Sequence, residues 1–251
     1  MDSTNIFAKM PPLRLFFYAS IPGAVSMLAS SLYQTIDGML VGQYLGETAF
    51  AAINLAMPFI IIINFALADL VGVGSAVPIS VCLGRGQHRE ACGIFSCACL
   101  LIVAAAAAMG VVIYAAAPLL IELMGAEGEF AALAVMYLRT YALCSPATSI
   151  IFAVDNYLRI CGYIRGSMLI NILMSVLCMA LEVLFLGVFK WGIWAAALAS
   201  SAGMFICTLI AFIPFFRGKA LLRFTRPHIT AGMLKQIVSC GSPTFLNNIA
   251  G

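Results

Sequence analysis

Six apolar runs, each long enough to cross a bilayer as a helix, leave this chain little choice of fold. A hydrocarbon core about 30 Å thick takes about 20 helical residues. Inside lipid a spanning segment must satisfy its own backbone N–H and C=O groups, which a helix does and an open strand or loop does not. The runs cover residues 13–41, 52–81, 92–117, 131–158, 166–189 and 192–216, separated by polar or glycine-rich breaks. A seventh begins near Leu234 and stops at Gly251, too short to span. The sequence therefore predicts an all-α integral membrane protein. Residues 1–216 form a six-transmembrane-helix bundle, 217–233 a cytoplasmic linker, and 234–251 the truncated start of helix seven. Composition agrees, because 63% hydrophobic and 9% charged residues stand against roughly 45–50% and about 25% in soluble domains. The first run is much longer than a signal-peptide core and continues into Gln34, Thr35 and Asp37 without a cleavage context, so it reads as a retained span.

Charge placement sets an expected orientation. Eleven of the 13 Lys and Arg residues lie at one set of helix ends: Lys9, Arg14, Arg85, Arg89, Arg159, Arg165, Arg217, Lys219, Arg223, Arg226 and Lys235. Those ends are predicted cytoplasmic, with the N terminus inside. The expected location is a cell membrane crossed many times, of the bacterial inner-membrane kind. The net charge of +3 is then topological and calls for no nucleic-acid partner. Arg14 and Lys235 each precede a proline, Pro22 and Pro243, by eight residues, so the seventh run looks like the first begun again. Nine cysteines are scattered through apolar segments without the paired spacing of a zinc site, and they read as small buried hydrophobes.

Three acidic residues inside the spans, Asp37, Asp69 and Glu182, carry the functional signal. A carboxylate at bilayer depth costs about 3 kcal/mol or more unless it faces a cavity, a partner or a proton. Tyr33 lies one turn before Asp37 and offers it a phenol, and Gln34 offers an amide. Asp69 follows Asn64 by five residues and faces either a cavity or a helix contact. Asp155 either adds negative charge to a cavity or pairs with Arg159 four residues on. Met57, Phe59, Phe65, Phe152 and Met204 are candidates for a drug-accepting wall, or for lipid-facing and core positions. Pro22, Pro58, Pro78 and Pro146 mark expected kinks.

An ordered set of motifs runs the length of the chain. These are Gln34-Thr35-Ile36-Asp37-Gly38-Met39-Leu40-Val41-Gly42 with Gly46 and Ala51-Ala52, the stretch 72–86 ending Gly84-Arg85-Gly86, and Tyr157-Leu158-Arg159-Ile160-Cys161-Gly162. They are followed by Leu181-Glu182-Val183-Leu184-Phe185, the stretch 192–200 opening Gly192-Ile193-Trp194, and Gly241-Ser242-Pro243. The set resembles the multidrug and toxic compound extrusion (MATE) family. That resemblance implies an N-terminal half of a protein built from two six-helix lobes, which exports cationic or amphipathic compounds by antiport. It assigns cation coupling to Asp37, Glu182, Ser200 and Cys178. From the residues themselves the cavity wall is expected to include Tyr33, Gln34, Asn64, Asp69, Asp155 and Met204, of which Asp69 has no counterpart in the family's motifs, and Pro22 would act as a hinge that bends the first helix when Asp37 takes a proton, as in similar transporters. Where the family has an Asn and an Asp one turn apart on helix five, this chain has Cys178 and Glu182. A thiol is a poor ligand for a hard cation, which favours the proton, and Glu182 with its extra methylene keeps sodium open. No organic cofactor is implied.

The leading expectation is thus a secondary active transporter, not an enzyme, since no H-E-x-x-H, G-x-S-x-G or P-loop pattern occurs. Its partners would be small cationic or amphipathic substrates, the lipid bilayer, and a missing C-terminal lobe or a second copy. The alternatives are a lipid or oligosaccharide-lipid flippase of the same superfamily, which would prefer a more cationic cavity, and an inactive truncated fragment that needs a partner lobe.

Overall fold

The computed structural model describes residues 11–218, 220–225 and 231–250, apart from the side chains of Pro12, Ala19, Ile63, Asn64, Phe65, Ala231, Ile249 and Ala250. Helix α1 (Pro12–Leu45) opens on a proline, whose missing N–H costs nothing in a first turn, and runs without interruption through Pro22. It ends at Gly46, whose φ of 87° turns the chain sharply into α2 (Glu47–Ile60). A π-helical segment, Ile61–Ala66, joins α2 to α3 (Leu67–Gly84), so the second apolar run is one long rod with a local change of pitch. Helices α4 (His88–Leu123), α5 (Gly128–Thr148) and α6 (Ile150–Ile160) follow, the last two separated only by Ser149. Helix α7 (Ile164–Glu182) relaxes into a second π-helical segment, Val183–Val188, before α8 (Ile193–Phe216). The final element is α9 (Ala231–Ala250).

Six stretches are long and apolar enough to cross a membrane: Leu13–Leu45, Leu67–Gly84, His88–Leu123, Gly128–Ile160, Ile164–Val188 and Ile193–Phe216. Five overlap the runs read from the sequence over most of their length; of the second run, 52–81, the spanning stretch takes only the part from Leu67, and the rest lies in α2 and the π-helical segment. The helical rod that contains this run begins at Glu47, earlier than residue 52, because the break falls at Gly46, and α2 buries apolar residues in the bundle. Lys9, Lys219 and Arg226, which entered the charge reading, lie outside the described residues.

Two apolar cores hold the bundle together. In the first, Phe95 of α4 stacks on Phe215 of α8 at 5.1 Å and meets Tyr157 of α6 edge-on at 5.2 Å. In the second, Ile53 of α2, Ile121 of α4, Leu138 of α5 and Ile193 of α8 interlock. Cys178 belongs to the first core and Leu186 to the second. Glu182 lies one turn from each, so a carboxyl group sits where the two cores meet.

Small residues let the helices approach closely, as packing within lipid favours. A Cβ on Gly110 would lie 2.5 Å from Ser145 Oγ and 2.6 Å from the carbonyl oxygen of Ala142, across the α4–α5 contact. Gly110→Val is therefore expected to lower the thermal unfolding midpoint in detergent, at a cost of about 1–3 kcal/mol or more. An unchanged midpoint would show that this contact is looser than described.

After α8 the chain turns back onto the bundle. Leu222 is buried, the Arg223 N–H donates to Cys92 Sγ at 3.3 Å, and the Thr225 N–H donates to Ser96 Oγ at 2.9 Å. The first residues of the expected linker are thus part of the bundle wall, because Ala220 and Leu222 have apolar surface to bury. Helix α9 then packs along α3. A Cβ on Gly241 would come within 1.9 Å of the Leu70 carbonyl oxygen, and one on Gly74 within 2.2 Å of the Ile237 carbonyl oxygen. The paired glycines bring two backbones into contact, and the order of the contacts makes the two helices antiparallel.

Candidate functional site

Helix packing brings α1, α7 and α8 together at one buried carboxyl group. Glu182, the last residue of α7 before the π-helical segment, is fully buried. Its Oε1 accepts the Tyr33 hydroxyl of α1 at 3.0 Å and the Ser200 hydroxyl of α8 at 2.8 Å. Those two hydroxyls stand 3.2 Å apart. Oε2 receives no donor from the described residues. The carboxyl group of Asp37 lies close enough for its charge to act on Glu182. A change of pitch immediately after Glu182 is a device often found where a helix aims a functional side chain.

The sequence placed the Tyr33 phenol on Asp37, one turn along the same helix face. The structure sends it to Glu182 instead, 149 residues away in the chain. Helical side chains lean toward the N terminus of their own helix, so Tyr33 points away from the turn that carries Asp37. Cys178 is adjacent to this cluster, and its thiol donates to the Ser200 carbonyl oxygen at 3.5 Å. It fills the space beside Gly203, where a Cβ would approach Cys178 Sγ to 2.5 Å. Cys178 therefore backs the cluster as packing and adds no oxygen ligand.

The cluster opens onto a cavity of about 920 Å³, within the size range of small-molecule sites. Tyr33, Gln34, Asp37, Asp69, Ser200 and Met204 all line it, together with Met57. Its acidic residues are Asp37 and Asp69, and none of its lining residues is Lys, Arg or His. The remaining wall is largely apolar and aromatic, with Phe50, Ile53, Tyr137 and Tyr141. Asn64 and Phe65 fall among the side chains outside the described set. Phe59 packs against the second core.

Asp155 is not part of this wall. Its Oδ2 pairs with Arg159 at 2.6 Å, and its Oδ1 accepts from Ser167 and from Asn171 Nδ2, the latter at 2.8 Å. It lines a smaller side cavity of about 300 Å³ with Phe152 and Asn171. Of the two roles the sequence left open, the local pair prevails, because a cation four residues on and two donors from α7 saturate the carboxylate. Asp69 lines both cavities and accepts a hydrogen bond from Asn248 Nδ2 of α9 at 2.9 Å. Pro22 is buried within α1, and its carbonyl oxygen accepts the Ser26 hydroxyl at 2.9 Å. All nine cysteines are free thiols, and no cluster of metal-ligating side chains occurs among the described residues.

A family model, MatE, matches residues 22–184, well over half of the chain and the segment that carries both Asp37 and Glu182. The chain belongs to the MatE family. Multidrug export protein MepA of Staphylococcus aureus (strain MRSA252) is 27% identical to it over 97% of this chain and 54% of its own length. Among solved structures, a proline-to-alanine MATE variant superposes with a TM-score of 0.88 at 26% identity, covering 96% of this chain and 54% of that one. A superfamily transporter from Pyrococcus furiosus, described as having a binding pocket of reverse polarity that suggests a different function, gives 0.85 at 26% identity, over 92% and 51%. The MatE chain thus spans about half the length of the relatives it matches. Family membership agrees with the multi-pass membrane architecture.

Several lining residues of this MatE chain escaped sequence reasoning, two tyrosines among them. Tyr137 and Tyr141 of α5 are both buried and both line the cavity. Their spacing of four residues, two polar aromatic tips on one face of a span, was the available signal.

Proposed function

We propose that this chain forms the first half of a cation-coupled antiporter that exports cationic or amphipathic compounds, with the proton as the favoured coupling ion. The observation that carries the reading is the large, mostly apolar cavity whose charged lining residues are all acidic, and which adjoins the buried Tyr33–Glu182–Ser200 cluster. An apolar wall accepts varied hydrophobic bodies, and carboxylates without a competing basic group favour a positive charge. Two carboxyl groups that lie close together, as Asp37 and Glu182 do, repel when both are charged and are relieved when one holds a proton. When that proton leaves, the pair must separate or take a cation, and either change alters the cavity wall at Asp37.

Cys178 supports the proton over sodium, because its thiol stands where a hard oxygen ligand would be needed and is already committed to a backbone carbonyl. Pro22 removes one helical hydrogen bond from α1, the helix that carries both Tyr33 and Asp37, and is the hinge in this reading. In the same reading the basic helix ends face the cytoplasm, and a second lobe or a second copy completes the cavity. The all-acidic charge of the lining speaks against the flippase alternative.

Reconstitution into liposomes tests the proposal with ethidium as the cation. An imposed proton gradient should drive ethidium movement at a rate about tenfold or more above protein-free vesicles, where tenfold corresponds to about 1.4 kcal/mol of driving interaction. A sodium gradient at constant pH should have little effect. Movement driven by sodium alone would reverse the ion assignment, and movement driven by neither would refute coupled export by this chain.

A further inference from the structure

Asp69 stands in the first turn of α3, immediately after the π-helical segment, and is the lining residue common to the two cavities that carries charge. The donor directed at its carboxylate is the amide of Asn248, at 2.9 Å. A neutral amide satisfies one lone pair and brings no charge; the main cavity's lining holds no basic residue, and the Arg159 guanidinium that lines the side cavity is paired with Asp155. A cationic group would supply both the hydrogen bond and the charge, and charge-assisted bonds are roughly twice as strong as those between neutral groups. Asn248 itself lines the main cavity, so its amide can turn away into that space when displaced.

The bond also joins two elements. Asn248 lies seven residues beyond Gly241 on the same face of α9, and Gly241 is seated against the Leu70 backbone. The glycine contact holds the helices together at one level, and the Asp69–Asn248 bond ties them at a second. Losing the second tie leaves the first in place, so α9 gains freedom at its Asn248 end alone.

We infer that Asp69 is a binding site for the cationic group of a substrate, and that this group competes with Asn248, making the hydrogen bond a latch between α3 and α9 that the substrate opens. The inference rests on the reading of the main cavity as the substrate cavity.

The test uses the purified chain in lipid nanodiscs, with ethidium as the cationic probe and neutral N-phenyl-1-naphthylamine as its control. Asp69→Asn should weaken ethidium binding by about tenfold or more and leave the neutral dye unchanged, since only the charge is removed. Asn248→Ala should tighten ethidium binding by about threefold, because a competitor is removed. The opposite signs are decisive, since Asp69→Asn keeps an oxygen that can accept from Asn248 and loses only the charge, while Asn248→Ala removes the hydrogen bond and keeps the charge, and a merely structural bond gives neither effect on a cation. Unfolding midpoints of both variants check that the fold persists. Weaker ethidium binding in both, or no change in Asp69→Asn, overturns the latch. If ethidium binding then still depends on Asp37, tested as Asp37→Asn, the cavity reading survives and only the role of Asp69 falls. If the parent chain binds no ethidium, both fall together.

Discussion

Glu182→Gln is expected to abolish ion-driven ethidium movement while leaving the protein folded. The amide keeps an oxygen that accepts from Tyr33 and Ser200, at 3.0 and 2.8 Å in the parent, and its NH₂ can donate to the nearby Asp37. What it loses is the ability to give up or regain a proton. Coupled transport should therefore fall by at least about tenfold, equivalent to about 1.4 kcal/mol, with the unfolding midpoint little changed. Glu182→Leu separates the two roles. It removes the acceptor that the Tyr33 and Ser200 hydroxyls share, leaving them their 3.2 Å contact with each other and Ser200 its bond to the Ala196 carbonyl, and should lower the midpoint as well, at a cost of about 1–3 kcal/mol. Undiminished transport by Glu182→Gln would remove Glu182 from the coupling mechanism and leave it a structural acceptor.

Gly241→Val should unseat α9 from α3. Even a Cβ at this position would lie 1.9 Å from the Leu70 carbonyl oxygen and 2.8 Å from the carbonyl carbon, and these backbone atoms cannot rotate away as a side-chain tip can. The helices must part, and the reciprocal contact of Gly74 with Ile237 is lost with them. Overpacking of a side chain alone costs about 1–3 kcal/mol, and a forced backbone separation belongs at or above that range. Ile237 reports the event directly, since it is only 1% exposed. A cysteine introduced there should resist maleimide in the parent and react when combined with Gly241→Val, as read by mass spectrometry of the labelled peptide. Continued protection would show that the glycine contact is dispensable.

Much of the architecture could be read before any coordinates, because in lipid a run of apolar residues has one stable backbone solution. The six spans were legible for that reason. The two π-helical segments were not, since Ile61–Ala66 and Val183–Val188 have the same composition as their flanks and the change of pitch is imposed by packing. Asp37, Glu182 and Ser200 stood out as a carboxylate pair and a hydroxyl on distant spans, yet the identity of their mutual partners depends on which helices touch. Tyr33 illustrates the limit. Its helical neighbour Asp37 was visible in the sequence, but its hydrogen-bond partner is set by the α1–α7 contact, which no local spacing reveals. Asp155 shows the converse case. Its partner Arg159 lay within one helical turn, so the pair was among the readings available from sequence, and contacts from Ser167 and Asn171 decided in its favour. Asp69 required α9, whose approach depends on two glycines that look alike in sequence and meet only in three dimensions.

Beyond Glu182, the second π-helical segment leads into a ladder of rings in which Phe185, Phe189, Trp191 and Trp194 follow one another at 5.0 to 6.2 Å. Trp191 and Trp194 are the only tryptophans in the chain and lie nearly parallel, 9° apart. All of the indole fluorescence of the molecule thus originates at the junction of α7 and α8, the two helices that hold Glu182 and Ser200. Indole emission from this chain comes from one place, and that place is the end of the lever on which the buried acid is mounted.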